Sequence, residues 1–136
     1  MKKRLFTVLI AAVTALLVLA FSGCNKYSSS YKATAMVKTS STKSASMSFS
    51  SFEGTMVFKL KCGSDDEQIS YSAKLENGSA KIYYDCNGTK TELLSVTGGD
   101  DVSGLGGELQ KGTVYIIVET SETGKDGRFG FEIKQP

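Results

Sequence analysis

The chain has no histidine and no tryptophan, a single proline, at position 136, and three cysteines among 136 residues. Without histidine there is no Ser-His-Asp or Cys-His nucleophilic pair. Ordinary zinc sites lose their usual imidazole ligands as well. No run after residue 24 spaces apolar residues at helical period over three turns, which excludes an amphipathic helix. Gly104-Leu105-Gly106-Gly107 is glycine-rich, but no Lys-Ser/Thr pair or helical pattern follows, so it is not a phosphate loop. These absences leave no legible active site, and the chain is expected to be non-enzymatic and to need no cofactor.

What is present begins with an address. Lys2, Lys3 and Arg4 precede an uncharged run of 17 residues, Leu5 to Phe21, and Ser22-Gly23-Cys24 follows at once. A charged start, an apolar run and small residues before a cut describe a secretory signal. Phe21-Ser22-Gly23-Cys24 resembles the lipobox of bacterial lipoproteins, with Phe21 where that family usually has leucine. The resemblance implies cleavage between Gly23 and Cys24 and a diacylglyceryl group on the Cys24 sulfur. Two acyl chains hold a protein stably at a bilayer where one does not. The other reading of the same run is an uncleaved transmembrane helix, although 17 residues fall short of the ~20 that span a bilayer. Either way the domain lies on the extracytoplasmic face of the cell membrane.

Removal of residues 1–23 leaves 113 residues, enough for one domain with one modest core. The leader carries three of the sixteen basic residues and no acidic ones, so thirteen basic face fourteen acidic side chains in the remainder. The net charge of +2 therefore belongs to the leader, and no basic surface argues for a nucleic-acid partner. Residues 24–30 read as the lipidated cysteine and a polar, Ser-rich tether. Residues 31–136 read as the domain.

Period-two alternation runs through that domain: Tyr31 to Val37, Ala45 to Phe49, Met56 to Cys62, Ile69 to Leu75, Ala80 to Cys86 and Phe129 to Ile133. Asn77-Gly78 between two such runs predicts a hairpin, and Asn87-Gly88 predicts a second turn. Thr91 to Thr97 reads as a short strand. Val114 to Thr120 is apolar on both faces and reads as a central strand. Gly98 to Gly107 reads as a glycine-rich loop and Ser121 to Gly127 as a turn. The expectation is an all-β fold: a small antiparallel, jelly-roll-like β-sandwich of about eight strands.

Gly112-Thr113-Val114-Tyr115-Ile116-Ile117-Val118 is similar to the G-T-Y-Y-x-x-V strand of bacterial pre-peptidase C-terminal domains. Ile82-Tyr83-Tyr84-Asp85-Cys86-Asn87-Gly88-Thr89 is similar to their L-Y-L-x-D-x-N-G-T strand and turn, and Gly127 to Ile133 to their closing strand. The family's acidic residue before the middle motif is absent, since Ala80 and Lys81 stand there. The likeness covers residues 67–134. It implies a small sandwich that accompanies secreted enzymes as an accessory or binding module.

Candidate site residues follow from chemistry and parity. Tyr83 and Tyr115 are opposite in parity to the core residues of their strands and should face outward, where aromatic rings stack on sugars. Asp65 and Asp66, with Glu67, and Asp100 and Asp101, with Glu108, offer hard oxygen ligands for calcium, against the plainer reading as turn residues. Cys62 and Cys86 share parity with buried neighbours and form an even pair in an exported chain, so a disulfide is expected if their strands face or adjoin one another. The functional expectation is a membrane-anchored binding or adhesion module for a protein or glycan. The alternative is a structural or assembly subunit of an envelope complex.

Overall fold

Three strands change parity half-way along, and that change builds the fold. A computed structural model describes residues 27–135. The signal peptide, its cut at Gly23 and Cys24 and the lipid-bearing Cys24 lie outside the described residues. The elements are β1 (Ser30–Thr34), β2 (Val37–Ser40), β3 (Ser44–Cys62), β4 (Gln68–Asp85), β5 (Thr91–Thr97), β6 (Asp100–Gly106) and β7 (Gly112–Lys134). All pair antiparallel, in the order β1-β3-β7-β4-β5, with β2 also on β3 and β6 also on β4. Among the described residues there is no helix.

Strands β3, β4 and β7 are 19, 18 and 23 residues long, against about five or six for an ordinary strand. In β3 the buried set passes from Ala45, Met47 and Phe49 to Phe52, Met56, Phe58 and Leu60. In β4 it passes from Ile69, Ala73 and Leu75 to Ala80 and Ile82, and in β7 from Val114, Ile116 and Val118 to Phe129, Phe131 and Ile133. A strand can present both sets to one core only if an irregularity between them shifts the alternation by one residue. The ladders break at one level across the sheet: between Phe52 and Thr55 on β3, and between Asn77 and Ala80 on β4. Together these breaks form a crease.

The sheet folds over at that crease. A straight β3 would hold its ends roughly 60 Å apart at about 3.3 Å per residue. Instead Lys61 N–H, near its end, donates to Thr42 O, just before its start, at 2.8 Å. Phe58 from one half meets Phe131 from the other, with ring centroids 6.4 Å apart. One layer is thus the first halves of β3 and β4 with the second half of β7, edged by β2 and β6. The other is the remaining halves, edged by β5, with β1 paired along residues 51–55 of β3. The two apolar faces close on one core in which Phe52, Phe129, Met47, Met56, Leu60 and Ile69 are fully buried. Each such side chain contributes about 1.5–3 kcal/mol. The sandwich expected from the alternation is therefore made from one folded sheet of seven strands.

Several local expectations are corrected. Asn77-Gly78 is not a hairpin turn but lies in the crease of β4, because β7 runs alongside both halves. Gly78 has φ +94°, and a Cβ there would run into Thr123 O. Gly54 has φ +123° at the matching break in β3, where Thr120 Oγ1 accepts from Gly54 N–H at 2.8 Å and fills the gap in the ladder. Ser121 to Gly127 is likewise strand, within β7. Gly98 to Gly107 is not a loop: residues 100–106 form β6 against β4. Its glycines are room for neighbours, since Tyr71 occupies the space of a Gly104 side chain and Leu93 that of a Gly106 side chain. Only Gly98-Gly99 is a turn, bonded across the crease to Gly78 O and Leu75 O.

Candidate functional site

The register places Tyr83 beside Ile117 and Tyr115 beside Asp85, so all four share the outer face of the second layer. Both tyrosines point outward there but are half-buried rather than exposed. Each ring has an intramolecular partner. The Tyr27 ring lies 5.3 Å from that of Tyr115 at 59°. Lys90 Nζ sits 4.4 Å over the Tyr83 ring and 2.8 Å from Glu119 Oε1. Ile117, on this outward face, is only 1 % exposed.

Tyr27 reaches further. Its Oη donates to Asp85 Oδ2 at 2.6 Å, and Asp85 is 2 % exposed. Asp85 Oδ1 also accepts from Asn87 N–H at 3.2 Å and Gly88 N–H at 2.7 Å, which shapes the turn after β4. A buried carboxylate is tolerated when donors surround it in this way. Burial and the adjacent Asp85 carboxylate push the Tyr27 phenol up to about 12. Ser29 Oγ accepts from Val57 N–H at 2.8 Å, and Ser30 already belongs to β1. The expected free tether is thus corrected for residues 27–30, which cross the outer face and dock on it. The visible signal was Tyr27, the one aromatic in the polar stretch; Asp85, Lys90 and Glu119 carried no sequence signal beyond turn and strand chemistry.

The acidic residues divide differently from their order in the chain. Asp65, Asp66 and Glu67 share a cleft of about 560 Å³ with Glu108 and Leu109. Asp100 and Asp101 pair with Leu75 and Lys74 at the far end of β6, whose other end, Gly106, pairs with Ile69. Strand β6 therefore carries Asp100 roughly 20 Å from Glu108 at about 3.3 Å per residue. Asp65 Oδ1 accepts from Lys111 N–H at 2.9 Å, and Asp100 Oδ2 from Thr97 N–H at 2.8 Å. Glu67, 4 % exposed, accepts from Gly63 N–H at 3.0 Å and lies 3.5 Å from Lys43 Nζ. The Gly63 N–H first, then the Cys62 thiol and Lys43, hold its carboxyl below the usual range. Among the described residues no group of three His, Cys, Asp or Glu side chains is arranged to hold a metal, and Asp65 and Asp100 each accept a backbone N–H.

Cys62 and Cys86 are both free thiols. Cys62 pairs with Gly112 and Asp85 with Tyr115, so β7 runs between the two cysteine strands. The order is not a meander, yet it still interposes one strand. Two ladder spacings are about 9–10 Å, beyond the ~7 Å that a disulfide tolerates between Cα atoms. The expected bond is corrected on that ground. The Cys62 thiol donates to Ser64 O at 2.9 Å, and burial pushes it up.

No described protein family and no curated protein matches the chain. Solved structures of similar shape include a family 29 carbohydrate-binding module variant complexed with mannohexaose, 15% identical over 80% of this chain and 79% of that one, with a TM-score of 0.43. A family 61 module in complex with β-1,4-galactotriose is 13% identical over 79% of this chain and 88% of that one, with a TM-score of 0.45. A CBM4 structure is 12% identical over 83% of each chain, with a TM-score of 0.39. At such identities and scores the function of this chain rests on its own residues.

Proposed function

We propose that this chain is a non-enzymatic binding or adhesion module, held by lipid on Cys24 at the extracytoplasmic face of a membrane. The observation that carries the reading is the docking of Tyr27 on Tyr115 and Asp85. Two residues, Asn25 and Lys26, separate Tyr27 from Cys24, a reach of at most about 11 Å. An anchor at Cys24 would then hold the domain close by a fixed point rather than by a loose leash. The turn after β4 faces the bilayer, and the crease faces away from it. Anchorage of that kind serves a domain that must present one face outward. It also gives Tyr115 a holding role rather than a sugar-stacking one.

Fatty-acid labelling of the full-length protein tests the anchor. Wild type is expected to take up label and sediment with membranes, and Cys24→Ala to lose both. Label retained by Cys24→Ala would overturn the anchor. A glycan and peptide array probed with the detergent-solubilised protein tests the module. Specific capture supports it, whereas no capture together with stable co-purification of membrane partners would replace it with an assembly subunit.

A further inference from the structure

The crease leaves a groove of about 430 Å³ on the outer face of the first layer, lined by Ala35, Ser48, Lys74, Glu76, Asp126 and Arg128. Phe49 and Gly127 complete its lining; the Phe49 ring itself is buried in the core, where a Cβ on residue 127 would strike its Cζ. Lys74 and Arg128 are direct neighbours across the β4–β7 ladder. Like charges so placed destabilise a sheet. Lys74 also has Asp101 opposite it on the β4–β6 ladder, and Glu76 at 3.9 Å with both of those side chains more than half exposed. Among the described residues only two non-glycine residues adopt positive φ, Ala35 at 50° and Asp126 at 52°, and both line this groove. For alanine that conformation costs about 1–2 kcal/mol. Two adjacent cations and two strained backbone positions gathered at one groove are what a functional site retains and a merely structural one sheds.

We infer that the groove binds a carboxylate-bearing sugar of an acidic polysaccharide, an inference that rests on the binding-module reading and names its ligand class. A guanidinium takes a carboxylate in a two-point fork, and Lys74 adds a second charge beside it. The Glu76 and Asp126 carboxylates and the Ser48 hydroxyl accept from sugar hydroxyls. The same two carboxylates repel a doubly charged phosphate more than a singly charged uronate. The groove also lies at the exposed end of the proposed arrangement, since Glu76 sits beside the crease and β4 runs roughly 17 Å away from it between Ala80 and Asp85 at about 3.3 Å per residue.

Affinity electrophoresis of the full-length protein in non-ionic detergent, through gels containing polygalacturonate, neutral dextran or polyphosphate, tests this. Polygalacturonate is expected to retard wild type, and added salt to weaken the effect. Arg128→Gln and Lys74→Gln should each weaken binding about tenfold, and the double variant should abolish it. Lys59→Gln, an exposed cation on the other layer, should bind as wild type does. Lys74→Gln should melt close to wild type, because it relieves Arg128 of a like-charged neighbour and deprives Asp101 of an opposite one, so loss of binding is not loss of fold. Retardation unchanged in the double variant, or polyphosphate as effective as polygalacturonate, would overturn the inference. Retardation by dextran alone would overturn it too, while leaving the binding-module reading standing.

Discussion

Gly78 and Gly99 both have φ +94°, yet only one of them is crowded. A methyl group at Gly99 meets nothing within 4 Å, whereas at Gly78 it would run into Thr123 O and lie 2.9 Å from Gly124 Cα. Alanine in the left-handed region costs about 1–2 kcal/mol. The lost freedom of the unfolded chain returns about 0.4–1 kcal/mol. Gly99→Ala should therefore cost about 0.5–1 kcal/mol. Gly78→Ala carries that cost and must also push the backbone of β7 aside, an overpacking worth about 1–3 kcal/mol more. The difference between the variants isolates the contact between the β4 crease and β7. Urea unfolding followed by tyrosine fluorescence reads it directly, since the chain has no tryptophan. In thermal melts the gap should be roughly 4–12 °C for a domain of this size. If Gly78 sat instead in an open hairpin turn, its alanine variant would cost no more than that of Gly99. Equal losses would refute the folded-sheet account of Asn77-Gly78.

Three further outcomes are expected. The Tyr27 phenol, pushed up to about 12 in the folded protein, contributes stability that is complete below its unfolded value near 10 and is lost as pH rises through the folded one; Tyr27→Phe should flatten that alkaline loss, read by denaturation between about pH 9 and 12. Glu67 is shifted the other way, so its contribution is present above the unfolded glutamate value near 4.3 and lost as pH falls below it; Glu67→Gln should reduce the acid sensitivity of unfolding. Non-reducing mass spectrometry should find two free thiols at Cys62 and Cys86, with iodoacetamide modifying the half-buried Cys86 before the buried Cys62, and a mass two hydrogens lower would restore the disulfide.

The fold class was legible because alternation reports which face of a strand is buried, whatever the strand's partner. Strand boundaries were not. Left-handed glycines serve both hairpin turns and bulges, so Asn77-Gly78 satisfies either, and the neighbour across the ladder decides. Here β7 pairs with Leu75 on one side of the dipeptide and with Ala80 on the other. Phe49 and Phe52 held a clearer signal: both are buried, their parities differ, and only Ser50 and Ser51 lie between them. The ladder itself breaks just beyond them, between Phe52 and Thr55, where Gly54 takes its positive φ. Likewise the glycines of β6 read as a loop because the residues that fill their space, Tyr71 and Leu93, come from elsewhere in the chain.

The candidate site was hidden by the same long-range geometry. Lys74 and Arg128 become neighbours only because β4 lies on β7, and Ala35 joins them only because the β1–β2 corner passes over the crease. Glu108 leaves Asp100 and joins Asp65 because β6 is extended rather than looped. Tyr83 and Tyr115, by contrast, were placed outward by parity alone, because facing is a local property of a strand. What parity could not disclose is what covers them. Tyr27 precedes the first strand and carries no alternation of its own, so its ring contact with Tyr115 and its bond to Asp85 follow from where the sheet folds. A folded sheet brings the end of β4 and the start of β7 to one end of the sandwich and the crease to the other. The N-terminal segment docks at the first of these, and the β1–β2 corner reaches the second, where charge and backbone strain meet.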